Sequence, residues 1–151
     1  MDETEFPICK AGLRDFSALS AFEKLCFSRE DAWPGIDLAY VLVGGNFVRY
    51  KVQHAGQLIA FAAGEIKSHE HAGWIATIAV HPQWRGKGLG TRLMLALEQA
   101  MGQPTVKLTT RRSNSAAIAL YRKLGYQQNG VWERYYYGGE DGLIFEKNIK
   151  S

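Results

Sequence analysis

Cysteine and proline are both scarce in this chain, and each scarcity closes off a class of protein. There are two cysteines in 151 residues, Cys9 and Cys26. They are too few for a disulfide framework and fit no metal or redox spacing, so they read as reduced thiols and no metal is expected. Four prolines in 151 residues exclude a collagenous or polyproline character. No apolar run approaches the roughly 18 residues that a membrane span requires. The opening segment MDETEFPICK is acidic and lacks an apolar stretch, so no secretory signal is read, and a soluble cytoplasmic protein with no membrane partner is expected. No repeat or low-complexity linker interrupts the chain. With 46% hydrophobic and 22% charged residues, residues 1–151 are read as one domain with its own core.

Charge is unevenly placed. Residues 1–40 carry four basic and eight acidic side chains. Residues 81–125 carry eight basic side chains (Arg85, Lys87, Arg92, Lys107, Arg111, Arg112, Arg122 and Lys123) against the single acid Glu98. A local +7 around a glycine-rich loop focuses potential on an anion. By charge alone that anion is either a nucleic acid or a phosphorylated small molecule.

The spacing predicts a helix over 15–26, with Asp15 at its N-cap and Phe16, Leu19, Phe22 and Cys26 at three- and four-residue intervals. Trp33-Pro34-Gly35 opens an irregular stretch. Strands are expected at 47–52, 58–66 and 74–80, the first two joined by the turn His54-Ala55-Gly56. After Pro82 and the loop 83–90 comes an amphipathic helix with Leu89, Leu93, Leu97 and Met101 on one face. A strand at 106–110 precedes a second helix at 115–124, capped by Asn114 and closed by Gly125. Residues 126–131 and 135–137 read as extended, and 143–148 as a last strand. The fold class is α/β in the α+β sense: one mixed, mostly antiparallel sheet flanked by helices.

The glycine loop admits a narrower reading. Gly86, Gly88 and Gly90 let successive backbone N–H groups point into one concavity, and the helix start adds its own free donors. A P-loop needs Ser or Thr after Gly-Lys, whereas Gly86-Lys87 is followed by Gly88. A dinucleotide fingerprint needs G-x-G-x-x-G and an acid about 20 residues on, whereas the chain has Thr109 and Thr110 there. What fits is R-x-x-G-x-G (Arg85, Gly88 and Gly90) after a strand ending Ala79-Val80-His81-Pro82. Here the sequence resembles the GNAT superfamily of acyl-CoA-dependent N-acetyltransferases, and the segment LTTRRSNSAAIALYRKLGY at 108–126 is similar to the second block of that family.

The resemblance implies acetyl-CoA as cofactor. Its pyrophosphate would lie on the turn and helix start formed by Arg85, Gly86, Lys87, Gly88, Leu89, Gly90 and Thr91. Ile78 and Val80 would line its arm, Asn114 would hold the pantetheine, and Tyr121 would protonate the departing thiolate. Asn114 and Tyr121 are seven residues apart, which places them on one helix face about 10 Å apart along the axis. Within the superfamily the chain looks most like the N-terminal and ribosomal-protein alanine acetyltransferases. That implies an acceptor site with Phe27, Trp74, Thr109, Tyr135 and Tyr136.

The usual bases of that group are missing. Thr109 stands where a glutamate or histidine is typical, and Trp74 where some members have tyrosine; neither titrates near neutrality. Glu65, on the neighbouring strand, is the sequence candidate for a base working through water, and Glu133 a weaker one. An α-amine near pKa 7.8 is roughly 10–15% neutral at pH 7, against on the order of 0.04% for a lysine amine near 10.4, a difference of about 3.5 kcal/mol. A site without a base therefore favours a weakly basic amine and a rate that follows the amine's own pKa. The reading is acetyl transfer to a primary amine, chiefly a peptide or protein N-terminus, by direct attack in a ternary complex. Its alternatives are an acetyltransferase of small amines (amino acids, arylamines or polyamines) and a non-catalytic acyl-CoA-binding module. A nucleic-acid partner is not expected, because the basic residues cluster on a glycine turn instead of lining a groove-reading element. Monomer and homodimer are both left open.

Overall fold

Alternating apolar residues broken by tight turns build the first half of the sheet. In the computed structural model, which describes residues 6–27 and 35–149, β1 (Ile8–Lys10), β2 (Phe47–His54), β3 (Gln57–Lys67) and β4 (Ala72–Val80) pair in that order, each antiparallel to the next. Ala55 and Gly56 both take positive φ, 51° and 78°, as a two-residue hairpin turn requires. With β5 (Thr105–Arg111), β6 (Gln127–Trp132) and β7 (Gly142–Asn148), the described residues form a seven-stranded sheet in the order β1-β2-β3-β4-β5-β7-β6. Only β4 and β5 are parallel, so the mixed and mostly antiparallel sheet read from the sequence is the one observed.

Two apolar layers sandwich the sheet. On one face α1 (Phe16–Cys26) and α2 (Gly35–Val43) cover Phe61, Ala63 and Ala79 with Leu19, Phe22, Leu38, Val41 and Leu42. On the other, α3 (Leu89–Met101) and α4 (Ser115–Lys123) cover Ile59, Ala60, Ala62, Val106, Leu108 and Phe145. Leu89, Leu93, Met94, Leu97 and Met101 of α3 are all at most 2% exposed, each contributing about 1.5–3 kcal/mol of burial.

Three expectations need correction. The stretch opened at Trp33-Pro34-Gly35 is helical from Gly35 onward; Leu38, Val41 and Leu42 fall at three- and four-residue spacing and bury against α1, which overrides the weak propensity of a valine-rich run. Trp33 and Pro34 lie outside the described residues. The tyrosines at 135–137 belong to no strand: β6 ends at Trp132, Arg134 turns the chain with φ 52°, and Tyr137–Gly139 is a short 3-10 turn. Finally, Asp15 precedes α1 without capping it through its side chain.

That carboxylate is committed elsewhere. Asp15 accepts a 2.6 Å bond from Lys51 Nζ on β2 and a 2.9 Å bond from the Gly12 N–H. Burial pushes its pKa up, but these two bonds outweigh it and hold the carboxyl below its usual range. Asp15→Ala is expected to cost about 3–5 kcal/mol, because it strands the Lys51 ammonium in the interior. Urea unfolding checks this, and a loss under about 1 kcal/mol would show the pair to be solvated.

The feature that shapes the site is a gap. β4 and β5 pair only at Ala72↔Thr105, Gly73↔Val106 and Trp74↔Lys107. Beyond that point each strand keeps only its outer neighbour, β3 for β4 and β7 for β5. Residues 75–80 and 108–111 thus face each other across an opening whose backbone groups lack a ladder partner. β4 also carries a bulge: Thr77 pairs with Ala63 and Ile75 with Gly64, so Ala76 is the extra residue.

Candidate active site

One end of the gap is the glycine turn. Gly86 and Gly88 take φ of 77° and 84°, and Gly88 is the N-cap of α3. A Cβ at either would meet nothing within 4 Å, so glycine is required there by backbone conformation and not by crowding. Arg85 is exposed and donates its Nε–H to the Val80 carbonyl at 3.1 Å, tying the turn to the end of β4; Lys87 is exposed beside it. Leu89 is 1% exposed, so its side chain belongs to the core and only its backbone can serve the turn. Gly90 and Thr91 complete the first turn of α3, where free N–H groups and the helix dipole favour an anion. Ile78 and Val80, half-buried on the α3 side, lie in the unpaired half of β4.

Across the gap, α4 supplies the other wall. Asn114 caps it, its Oδ1 accepting from the Ala117 N–H at 3.3 Å. Tyr121 is buried at 6% exposure, its ring packed on Tyr126 and Phe145. Burial pushes its hydroxyl up to about 12, so it stays protonated at any physiological pH. An unpaired strand edge, an αL glycine turn at a helix start and two basic side chains suit an extended amide-bearing arm ending in phosphates.

The opposite face of the sheet carries the aromatic residues. Trp74, at the last β4–β5 pair, stacks on Trp132 at 5.9 Å; Trp132 contacts Tyr135 at 4.9 Å, and Tyr135 contacts Tyr136 at 5.0 Å. The Trp74 indole N–H is buried without an acceptor among the described residues. The β6–β7 loop that bears the tyrosines is clamped to the start of α4. Glu140 accepts from Arg111 at 3.0 Å and from the Ser113 N–H at 2.8 Å, bonds that hold its carboxyl below the usual range. The Arg111 guanidinium also lies 4.6 Å from the centre of the Tyr136 ring. Thr109, half-buried on β5, packs beside this loop: a Cβ at Gly142 would meet its methyl at 2.8 Å and Tyr135 at 3.2 Å. Phe27 ends α1 on the same face, packed on the α1–α2 core.

Not every sequence candidate joins this constellation. Glu65 sits opposite Trp74 in register, at the closed end of the gap, where its Oε2 accepts from Asn46 Nδ2 at 3.0 Å. Glu133 is exposed in the turn after β6.

One group was missed. Glu23, on the third turn of α1, is 1% exposed. Its Oε1 accepts from the Thr77 hydroxyl at 3.3 Å, and its Oε2 is buried with no partner among the described residues. Burial pushes its carboxyl up to about 7, against a smaller lowering by the Thr77 bond. The folded protein therefore retains a proton that the unfolded chain has released, so this group's contribution to stability falls as pH rises from about 4.5 to about 7. The sequence signal was present: Leu19, Phe22, Glu23 and Cys26 follow i, i+3, i+4, i+7, which places a carboxyl inside the core-facing stripe. Cys26, one turn on, donates its Sγ–H to the Val80 carbonyl at 3.7 Å, and burial raises its pKa.

A sequence profile of the acetyltransferase (GNAT) family matches residues 15–126, and the chain belongs to that family of N-acetyltransferases. It is 34% identical over 151 residues to the N-terminal acetyltransferase A complex catalytic subunit NAA10 of Arabidopsis thaliana, covering 95% of this chain and 78% of that one. It is 33% identical over 107 residues to the ribosomal protein bS18-alanine N-acetyltransferase of Escherichia coli K12, covering 67% and 71%. The crystal structure of the ribosomal-protein-S18-alanine N-acetyltransferase from Escherichia coli superimposes with a TM-score of 0.86 at 27% identity, over 97% of this chain and 95% of that one.

Proposed function

We propose that this protein transfers the acetyl group of acetyl-CoA to the α-amine of a peptide or protein N-terminus, by direct attack within a ternary complex. The observation that carries the reading is the β4–β5 gap, bounded by a glycine anion cradle at one end and by an aromatic loop on the opposite sheet face. Acetyl-CoA supplies the activated acyl group as a thioester. The backbone N–H groups of 86–91 would hold its phosphates with Arg85 and Lys87 alongside, and the open edge of β4 through Ile78 and Val80 would pair with its amide arm. Asn114 would steady that arm from α4. Tyr121 would give an O–H to the departing sulfur, and a free N–H of β4 would meet the oxyanion.

Direct attack is favoured by the thiols. Cys9 is exposed outside the gap, and Cys26, the thiol nearest it, is held above its usual range by burial, which outweighs the lowering by Arg85. The peptide reading rests on the clamped loop. Tyr135, Tyr136 and Trp132 present rings and hydroxyls at the gap, with Phe27 on the α1 side of the same face. These groups suit a short extended backbone better than a small polyamine. The relatives named above include N-terminal acetyltransferases.

The test is a panel of peptides with free N-termini, free amino acids, an arylamine and a polyamine, with thiol release as the readout. Peptides should be acetylated with a kcat/KM at least tenfold above every small amine. Turnover confined to small amines would contradict the peptide reading, and CoA binding without turnover on any amine would make the protein a binding module.

A further inference from the structure

We infer that Glu23, through the hydroxyl of Thr77, takes up the proton that the acceptor amine must lose, and so supplies the base that β5 lacks at Thr109. The inference rests on the acyl-transfer reading above. Three observations place the pair for this task. Thr77 lies in the unpaired half of β4, next to the bulged Ala76, on the sheet face that carries Trp74 and Thr109. Its hydroxyl donates to Glu23 Oε1 at 3.3 Å, which leaves its oxygen lone pairs free to accept an N–H from the gap. Glu23 is almost wholly buried, with Oε2 unpartnered among the described residues. A carboxyl kept in that condition is costly unless it does something else for the protein.

Little around Glu23 fixes its charge. The layer packed about it is apolar: Leu19 and Phe22 of α1, Leu38 and Leu42 of α2, Phe61 of β3 and Ala79 of β4. Among the described residues the titratable neighbours are Cys26 on its own helix and, beside Cys26, Arg85 from the turn after β4. The Asp15–Lys51 ion pair sits at the other end of α1 and is already matched. With its carboxyl near 7, Glu23 lies within about one unit of an α-amine and more than three units below a lysine amine, so it can deprotonate the first far more readily than the second.

The protons balance as follows. An N–H of R–NH3+ bonds to Thr77 Oγ1. That oxygen gains a proton as its own passes to Glu23 Oε1, leaving R–NH2, an unchanged threonine and a neutral Glu23. The amine nitrogen then bonds to the thioester carbon, and the C–S bond breaks with its pair on sulfur. Tyr121 protonates the sulfur, and the surplus proton on nitrogen restores Tyr121. Glu23 releases its proton to solvent, which is the one proton produced when an ammonium and a thioester become an amide and a thiol.

The test measures kcat/KM for the acceptor from pH 5.5 to 9.5 on the full chain, as wild type and as Glu23→Gln, Thr77→Val and Thr77→Ser. Wild type should rise through about 7 and then level off. Glu23→Gln can use only amine that is already neutral, so it should rise through the acceptor's own pKa near 8. It should be roughly fourfold slower at pH 7 and converge on wild type by pH 9. Thr77→Val should reproduce that displaced profile, Thr77→Ser should stay with wild type, and CoA affinity should not change in any of them. Thr77→Val carries the test if Glu23→Gln folds poorly. Parallel profiles for wild type and both Glu23→Gln and Thr77→Val would overturn the inference and leave the pair a packing device. If the enzyme turns over only small amines, the peptide reading fails by itself, and the same comparison made on that amine still decides the role of Glu23.

Discussion

Tyr121→Phe lowers kcat by about 10²-fold or more while leaving the affinity for CoA within about twofold. The split follows from where the hydroxyl sits. The ring is held by Tyr126 and Phe145 in the α3–α4 core, and phenylalanine keeps those contacts. What is lost is one O–H, kept protonated by burial, which in the proposed mechanism would go to the departing sulfur. Thiol release at saturating substrate gives kcat, and titration calorimetry gives the CoA affinity. A variant with full kcat would reduce Tyr121 to a packing residue. A variant that loses CoA binding as well would mean that the hydroxyl holds the ground state and not the leaving group.

Gly88→Val raises the KM for acetyl-CoA by at least tenfold, with a smaller effect on kcat at saturation. At φ of 84° a β-branched residue is badly strained, and the turn relieves that strain by rotating the N–H groups out of the concavity. Because a Cβ at this position meets nothing within 4 Å, crowding contributes nothing to the loss. Gly88→Asn is therefore the control: asparagine tolerates the left-handed region and should retain most of the affinity. Equal KM values for wild type and Gly88→Val would remove the phosphates from this turn.

The glycine turn and the cap of α4 were legible in the sequence because their requirements are local. An αL turn at a helix start needs glycine at Gly86 and Gly88, and a helix beginning after it needs a cap such as Asn114, whatever the rest of the chain does. The aromatic loop and the Glu23–Thr77 contact depend on register and packing between distant segments. Glu23 and Thr77 are 54 positions apart and meet only because α1 lies over the open half of β4. Glu65 stands out in the sequence because β3 neighbours β4, but the register places it at the closed end beside Asn46. The tyrosines looked like a strand because aromatic runs favour strands. They form a loop because Glu140 and Asp141 tie it back to Arg111, Arg112 and Ser113, contacts between acids and bases that carry no periodic signal. α2 was lost for a related reason: a short apolar run after Pro34-Gly35 has no preference that survives without α1 to pack against.

In the proposed function the acetyl group goes to an α-amine. The most direct measurement uses one peptide that carries both a free N-terminus and an internal lysine, incubated with the enzyme and acetyl-CoA at pH 7 and sequenced by tandem mass spectrometry. Acetylation at the N-terminus with the lysine unmodified is the predicted result. Acetylation at the lysine side chain, or on neither amine while a polyamine is modified under the same conditions, would contradict it.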